Sequence, residues 1–144
     1  MNKTHLLAIP LVALSSLAFA GDVVKGARDC DTLTVDGSFF KGKTYKSSTF
    51  VPGVATDVAV KRAAQSLVAS GWKIASADEK LGVVSADTTV SYGSGKTAPL
   101  GVTFVDKEGG LNVNIVYSMS GGVSAKAADI GKQFCAVVDA VAAK

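Results

Sequence analysis

Two features of the chain predict an α+β domain: two stretches with apolar residues at helical spacing, and two alternating stretches between them that are each broken by a polar turn. Because the helical patterns flank the alternating ones, the expected order is helix, hairpin, hairpin, helix. The economical way to bury both helical stripes and the oily side of the hairpins is an antiparallel sheet of about four to five strands with two helices packed on one face, an α-β-β-β-β-α core.

The first residues, MNKTHLLAIPLVALSSLAFAG, set a cationic start with Lys3, then an apolar run from Leu6 to Ala13, then the small-x-small tripeptide Ala18-Phe19-Ala20. That order predicts a cleaved signal peptide over residues 1–20 and a mature chain opening at Gly21, with a retained signal anchor as the alternative. Gly21 is not a cysteine, so no lipid anchor is expected, and no later segment is apolar enough to cross a bilayer. The expected location is the periplasm or the outside of the cell, as a soluble protein without stable membrane insertion. The mature length suits one domain. Residues 21–48 read as an N-terminal segment tethered by a disulfide, and residues 49–144 as a single α+β domain.

Cleavage removes Lys3 and lowers the net charge of +3 by one, which gives no pull toward nucleic acid. It also removes His5, the sole histidine. Ser-His-Asp and Cys-His catalysis and histidine-ligated metal sites all need an imidazole, so no catalytic residue, metal or cofactor is expected. Cys30 and Cys135 are too far apart for a C-x-x-C redox pair, and in an oxidising compartment they predict one structural disulfide closing a loop of about 105 residues.

Along the mature chain, residues 21–34 are polar and mixed around Cys30. The run DGSFFKGKTYKSSTFV predicts one or two short strands at a sheet edge, where lysines discourage pairing with another chain. Pro52-Gly53 ends it. Residues 54–70 predict a helix with Val60, Ala63, Ala64, Leu67 and Val68 on one face, Thr56 or Asp57 as its cap, and Gly71 just past its end. Trp72 and Ile74, a turn over residues 78–82, then Val84, Ala86, Thr88 and Val90 predict the first hairpin. Leu100, Val102 and Phe104, a turn over 107–110, then Leu111, Val113, Ile115, Tyr117 and Met119 predict the second. Ser124 is the expected cap of a last helix with Ala127, Ile130, Phe134, Val137, Val138 and Val141 along one stripe.

The run Ala63-x3-Leu67-x3-Gly71-Trp72-Lys73-Ile74, followed by Asp78, Gly82-Val83-Val84, a second hairpin and a closing amphipathic helix, resembles the helix-grip type of small envelope domain. The domains of the outer-membrane assembly lipoprotein BamC and related periplasmic modules are of this type. The resemblance covers residues 49–144 and implies a fold and an envelope location. It carries no functional residue across, and the chain departs from that group in lacking a lipidated N-terminal cysteine.

Two surfaces are candidates for binding. Phe39, Phe40, Lys41, Lys43, Tyr45 and Lys46 interleave aromatic rings with lysines, a composition that binds anions: lipopolysaccharide, phospholipid headgroups or an acidic protein surface. The competing reading is the edge strand itself. Trp72 reads as the cover of a helix end, and alternatively joins Phe104, Tyr117 and Phe134 as the wall of a cavity between helices and sheet. Gly95-Lys96-Thr97 matches only the tail of a phosphate loop, because Val90 stands where the motif needs glycine and Pro99 opposes the helix that must follow. Asp78, Glu79, Asp87, Asp106 and Glu108 read as solvated carboxylates, mostly of turns, rather than a glycosidase pair. The expected function is a non-enzymatic periplasmic protein-interaction module, an accessory to envelope assembly or secretion, whose partner is an envelope protein. The alternative is a carrier or sensor of a small apolar ligand.

Overall fold

In the computed structural model, which describes residues 21–91 and 93–144, the alternating stretches form one sheet and the two helical stretches cover one of its faces. The signal peptide expected over residues 1–20 lies outside the described residues. In chain order the elements are β1 (Asp22–Val24), β2 (Leu33–Ser38), β3 (Gly42–Pro52), α1 (Thr56–Ala69), β4 (Lys73–Asp78), β5 (Val83–Thr89), β6 (Thr97–Lys107), β7 (Gly110–Met119) and α2 (Ala127–Ala142), with a 3-10 turn at Asp29–Asp31. The sheet order is β1-β2-β3-β7-β6-β5-β4, antiparallel at every neighbouring pair.

The period of two decides which side each residue takes. Leu33, Val51, Val84, Val102, Leu111, Val113 and Ile115 turn inward and are buried, while Ser48, Asn112 and Asn114 alternate to the uncovered face. There Ser48 donates to Asn114 at 2.7 Å. Ala59, Val60, Ala63 and Leu67 of α1, with Ile130, Phe134, Val137, Val138 and Val141 of α2, close the core from above. Burying a side chain such as Phe134 contributes about 2 kcal/mol.

The α+β class is as expected, but the sheet has seven strands, more than the expected four to five. The added strands come from residues 21–52, where hydroxyl side chains at the inward positions Ser47 and Thr49 interrupt the apolar period between Tyr45 and Val51. The run expected at an edge is interior, with β3 third in the order and paired to β7 from Lys43↔Met119 to Pro52↔Gly110. The true edges are protected differently: β1 is three residues long, and β4 carries a register shift between Ile74 and Ser76.

Neither expected side-chain cap forms. α1 begins at Thr56 itself, whose hydroxyl donates to Asp106 at 2.6 Å, and α2 begins three residues beyond Ser124, after Lys126. Val68 is exposed, and Ala59 takes the buried position that completes the stripe. Gly71 does stand just past α1, with a φ of 86°. The Trp72 N–H donates to the Leu67 carbonyl at 2.9 Å and the Gly71 N–H to that of Val68 at 3.0 Å, the paired bonds of a Schellman ending.

Cys30 and Cys135 form the disulfide, with Cα atoms 5.0 Å apart. One turn earlier on α2, a Cβ at Gly131 would lie 2.9 Å from the Asp31 Cβ, so the absence of a side chain lets the 3-10 turn lie against the helix. Arg28 adds an exposed pair to Asp139, its two guanidinium nitrogens at 2.9 and 3.3 Å from the carboxylate oxygens. Such a pair is worth little next to the covalent tie. A Cys30→Ala/Cys135→Ala variant is therefore expected to lose about 4 kcal/mol of unfolding free energy, by the loop-entropy argument for a closed loop of 105 positions. Urea unfolding of both forms measures it, and a loss below about 1 kcal/mol would show that the bridge does not limit the unfolded chain.

Candidate functional site

Two places collect the residues singled out in the sequence. The first is a cavity of about 220 Å³ beside the α1-to-β4 joint, whose walls include Trp72, Leu100, Tyr117, Ile130, Gln133 and Phe134. The Schellman ending fixes the Trp72 backbone, and its indole N–H donates to the Gln133 side-chain oxygen at 2.9 Å, linking the end of α1 to α2. The indole meets Tyr117 edge to face, with centroids 5.6 Å apart and planes at 82°. Tyr117 in turn stacks on Tyr45 at 6.3 Å across the β3–β7 ladder. Of the four residues expected at such a cavity, Trp72, Tyr117 and Phe134 come together and Phe104 does not. The Phe104 N–H donates to the Gly82 carbonyl, beside the β4–β5 turn, and its buried side chain belongs to the core there.

The second place is the turn between β2 and β3. Phe39 and Phe40 sit on it in edge-to-face contact at 5.4 Å, and Phe40 is 87% exposed. The turn is held from behind, because the Gly122 N–H donates to the Phe39 carbonyl at 2.8 Å. Lys41 is exposed on the same turn and Lys43 half-buried at the start of β3. Tyr45 does not belong to this surface. Strand alternation turns it inward, where it is 2% exposed. Lys46 points to the uncovered face and pairs with Asp36 at 2.9 Å. The six residues grouped by proximity in sequence thus divide: Phe39, Phe40 and Lys41 are exposed on the turn, with the half-buried Lys43 beside them.

Lys96 reaches the same end of the sheet, its ammonium donating to the Gly121 carbonyl at 3.5 Å. This contact adjoins the Phe39–Phe40 turn, and nothing in local composition signals it. Thr97 opens β6 rather than a helix. The carboxylates spread out: Asp78 accepts the Lys80 and Leu81 N–H groups at 2.9 Å each, Glu79 pairs with Lys61, and Asp106 accepts from Thr56. Among the described residues, no three His, Cys, Asp or Glu side chains lie together as a metal site would require. No described helix is long and apolar enough to cross a membrane. No family model matches the chain, and no curated protein matches it.

Burial raises the pKa of both Tyr117 and Tyr45 above the ordinary phenol value of 10, and for Tyr117 the neighbouring Tyr45 adds to the effect. The folded protein therefore holds these protons after the unfolded chain has begun to release them. The resulting contribution to stability is fully present below about pH 10 and is lost as pH climbs through the raised native values. The urea midpoint is expected to fall above that pH, and Tyr117→Phe to fall less steeply. An equal slope in both proteins would place the alkaline loss elsewhere.

Proposed function

We propose that the chain is a non-enzymatic interaction module of the cell envelope, exported to the periplasm, that docks through the end of the sheet bearing Phe39 and Phe40. The observation that carries this reading is the exposure of two adjacent phenylalanines on a turn held by the Gly122 bond. An apolar tip fixed in water costs free energy unless a second surface covers it. The export signal, the disulfide and the resemblance to envelope assembly domains support the location and the accessory role. Crosslinking the protein in its own envelope, followed by mass spectrometry of what is recovered, tests it. Recovery is expected to depend on the tip, so Phe39→Ser/Phe40→Ser should lose the adducts that the native protein gives. Identical adducts from both would remove the tip from the function.

The cavity favours a second reading, a carrier or sensor of a small apolar ligand. An apolar cavity of about 150 Å³ accepts benzene, so the space of about 220 Å³ beside Trp72 suits a ligand of one or two rings or a short acyl segment. Its polar walls, among them Gln133 and the carboxylate of Asp129, would orient such a ligand. Native mass spectrometry after gentle extraction should show an added mass that Trp72→Ala loses. Only the bare protein mass, in extracts that keep other carriers loaded, would mean that the cavity holds water.

A further inference from the structure

The strand order gathers the connections into two groups at opposite ends of the sheet. At one end lie the β2–β3 turn, the β5–β6 loop and the β7–α2 connection, joined by the bonds from Gly122 to Phe39 and from Lys96 to Gly121. At the other lie the β3–α1 connection and the β4–β5 and β6–β7 turns, joined by the bonds from Gly53 to Gly109 and from Phe104 to Gly82. The charges separate with them. The second end holds Asp57, Asp78, Glu79, Asp106 and Glu108 beside Lys61, Lys80 and Lys107. The first holds Lys41, Lys43, Lys96 and Lys126; the carboxylates nearest it are Asp36, which pairs with Lys46, Asp87 in β5, and Asp129 in the first turn of α2, 4.0 Å from Lys132. Among the described residues, none of those four lysines is in an ion pair. Lys126 even occupies the N-cap of α2, where the helix dipole opposes a cation.

The kind of cation identifies the partner. Both arginines lie elsewhere, Arg28 on Asp139 and Arg62 donating to the Val141 carbonyl at 3.0 Å. Protein interfaces favour arginine, with its planar fork, and are depleted in lysine. Two rings bury about 150–250 Å² each, well short of the roughly 800 Å² that each side of a standard protein complex covers. A bilayer needs neither forked pairing nor a large matched patch. It accepts phenylalanine rings at the headgroup boundary and draws lysines to its anionic surface as point charges on flexible stems.

We infer that the end bearing Phe39, Phe40, Lys41, Lys43, Lys96 and Lys126 docks reversibly on the anionic surface of a lipid bilayer, an inference that rests on the docking reading above and names its partner. The test is sedimentation of the exported chain, its first residue fixed by mass spectrometry, with vesicles of phosphatidylethanolamine and phosphatidylglycerol against vesicles of phosphatidylcholine alone. Binding is expected to the anionic vesicles only and to weaken as salt is raised. Phe39→Ser/Phe40→Ser should lower the partition coefficient about tenfold or more. Lys41→Gln and Lys96→Gln should each lower it about fivefold, with circular dichroism unchanged in every variant. Equal binding to both vesicle types, or binding indifferent to the phenylalanines, overturns the inference. If vesicles fail while a protein is still crosslinked in a Phe39- and Phe40-dependent way, the bilayer is the wrong partner and the docking reading stands. If neither depends on the phenylalanines, both fall.

Discussion

The ladder between β3 and β7 is the constraint on which the rest of the molecule depends. It runs from Lys43↔Met119 to Pro52↔Gly110 and joins segments that are remote in sequence. On one side it supports β2 and then β1; on the other, β6, β5 and β4 follow from β7 through short turns. A slip of one residue would turn Tyr45 and Val51 to solvent and bring Lys46 and Phe50 into the core, so the inward row of Leu111, Val113 and Ile115 specifies the register strongly. The same register sets the β2–β3 turn beside Gly121 and Gly122. The exposed phenylalanines are therefore placed by a long-range pairing, although the turn that carries them is local.

The second constraint is the attachment of α2. The disulfide and the Arg28–Asp139 pair tie the N-terminal segment to it, and Gln133 accepts the indole N–H at the end of α1. Trp72 thus does two jobs. Its backbone closes the Schellman ending, and its ring forms a wall of the cavity with Tyr117 and Phe134. A joint of the fold and a ligand wall are not alternatives for this residue, because the bonds that fix the joint also hold the ring in place.

Both helices and both hairpins from β4 to β7 were legible because their signals are local, a helical stripe and strict alternation, and the cysteine pairing because two cysteines allow only one bridge within the chain. β1 to β3 were harder to read. Ser47 and Thr49 face the core with hydroxyls that have no hydrogen-bond partner among the described residues, so the inward row of β3 looks polar in sequence. Grouping Tyr45 with Phe40 followed distance along the chain, whereas the period of two sets it with Val51. Phe104 shares the inward face with the cavity residues, but β6 is 11 residues long and puts Phe104 toward the other end of the sheet from Trp72. Separation of charge between the ends was invisible until the strand order told which turns are neighbours. Lys96 and Lys41 are distant in sequence and share one end of the sheet.

That separation also relates the two functional readings to each other. The cavity walls include Thr88 near the end of β5, Ala125 in the β7–α2 connection and Asp129 in the first turn of α2, so the space beside Trp72 lies toward the lysine-bearing end of the sheet. Docking through Phe39 and Phe40 would set the cavity near the partner surface. An apolar ligand moving between that surface and the site would then cross little water, and exposing apolar area to water is the largest free-energy obstacle such a transfer has to overcome. An exposed apolar tip and a small cavity at the same end follow from one arrangement of strands. The two readings need not compete, since the first would supply the proximity that the second requires.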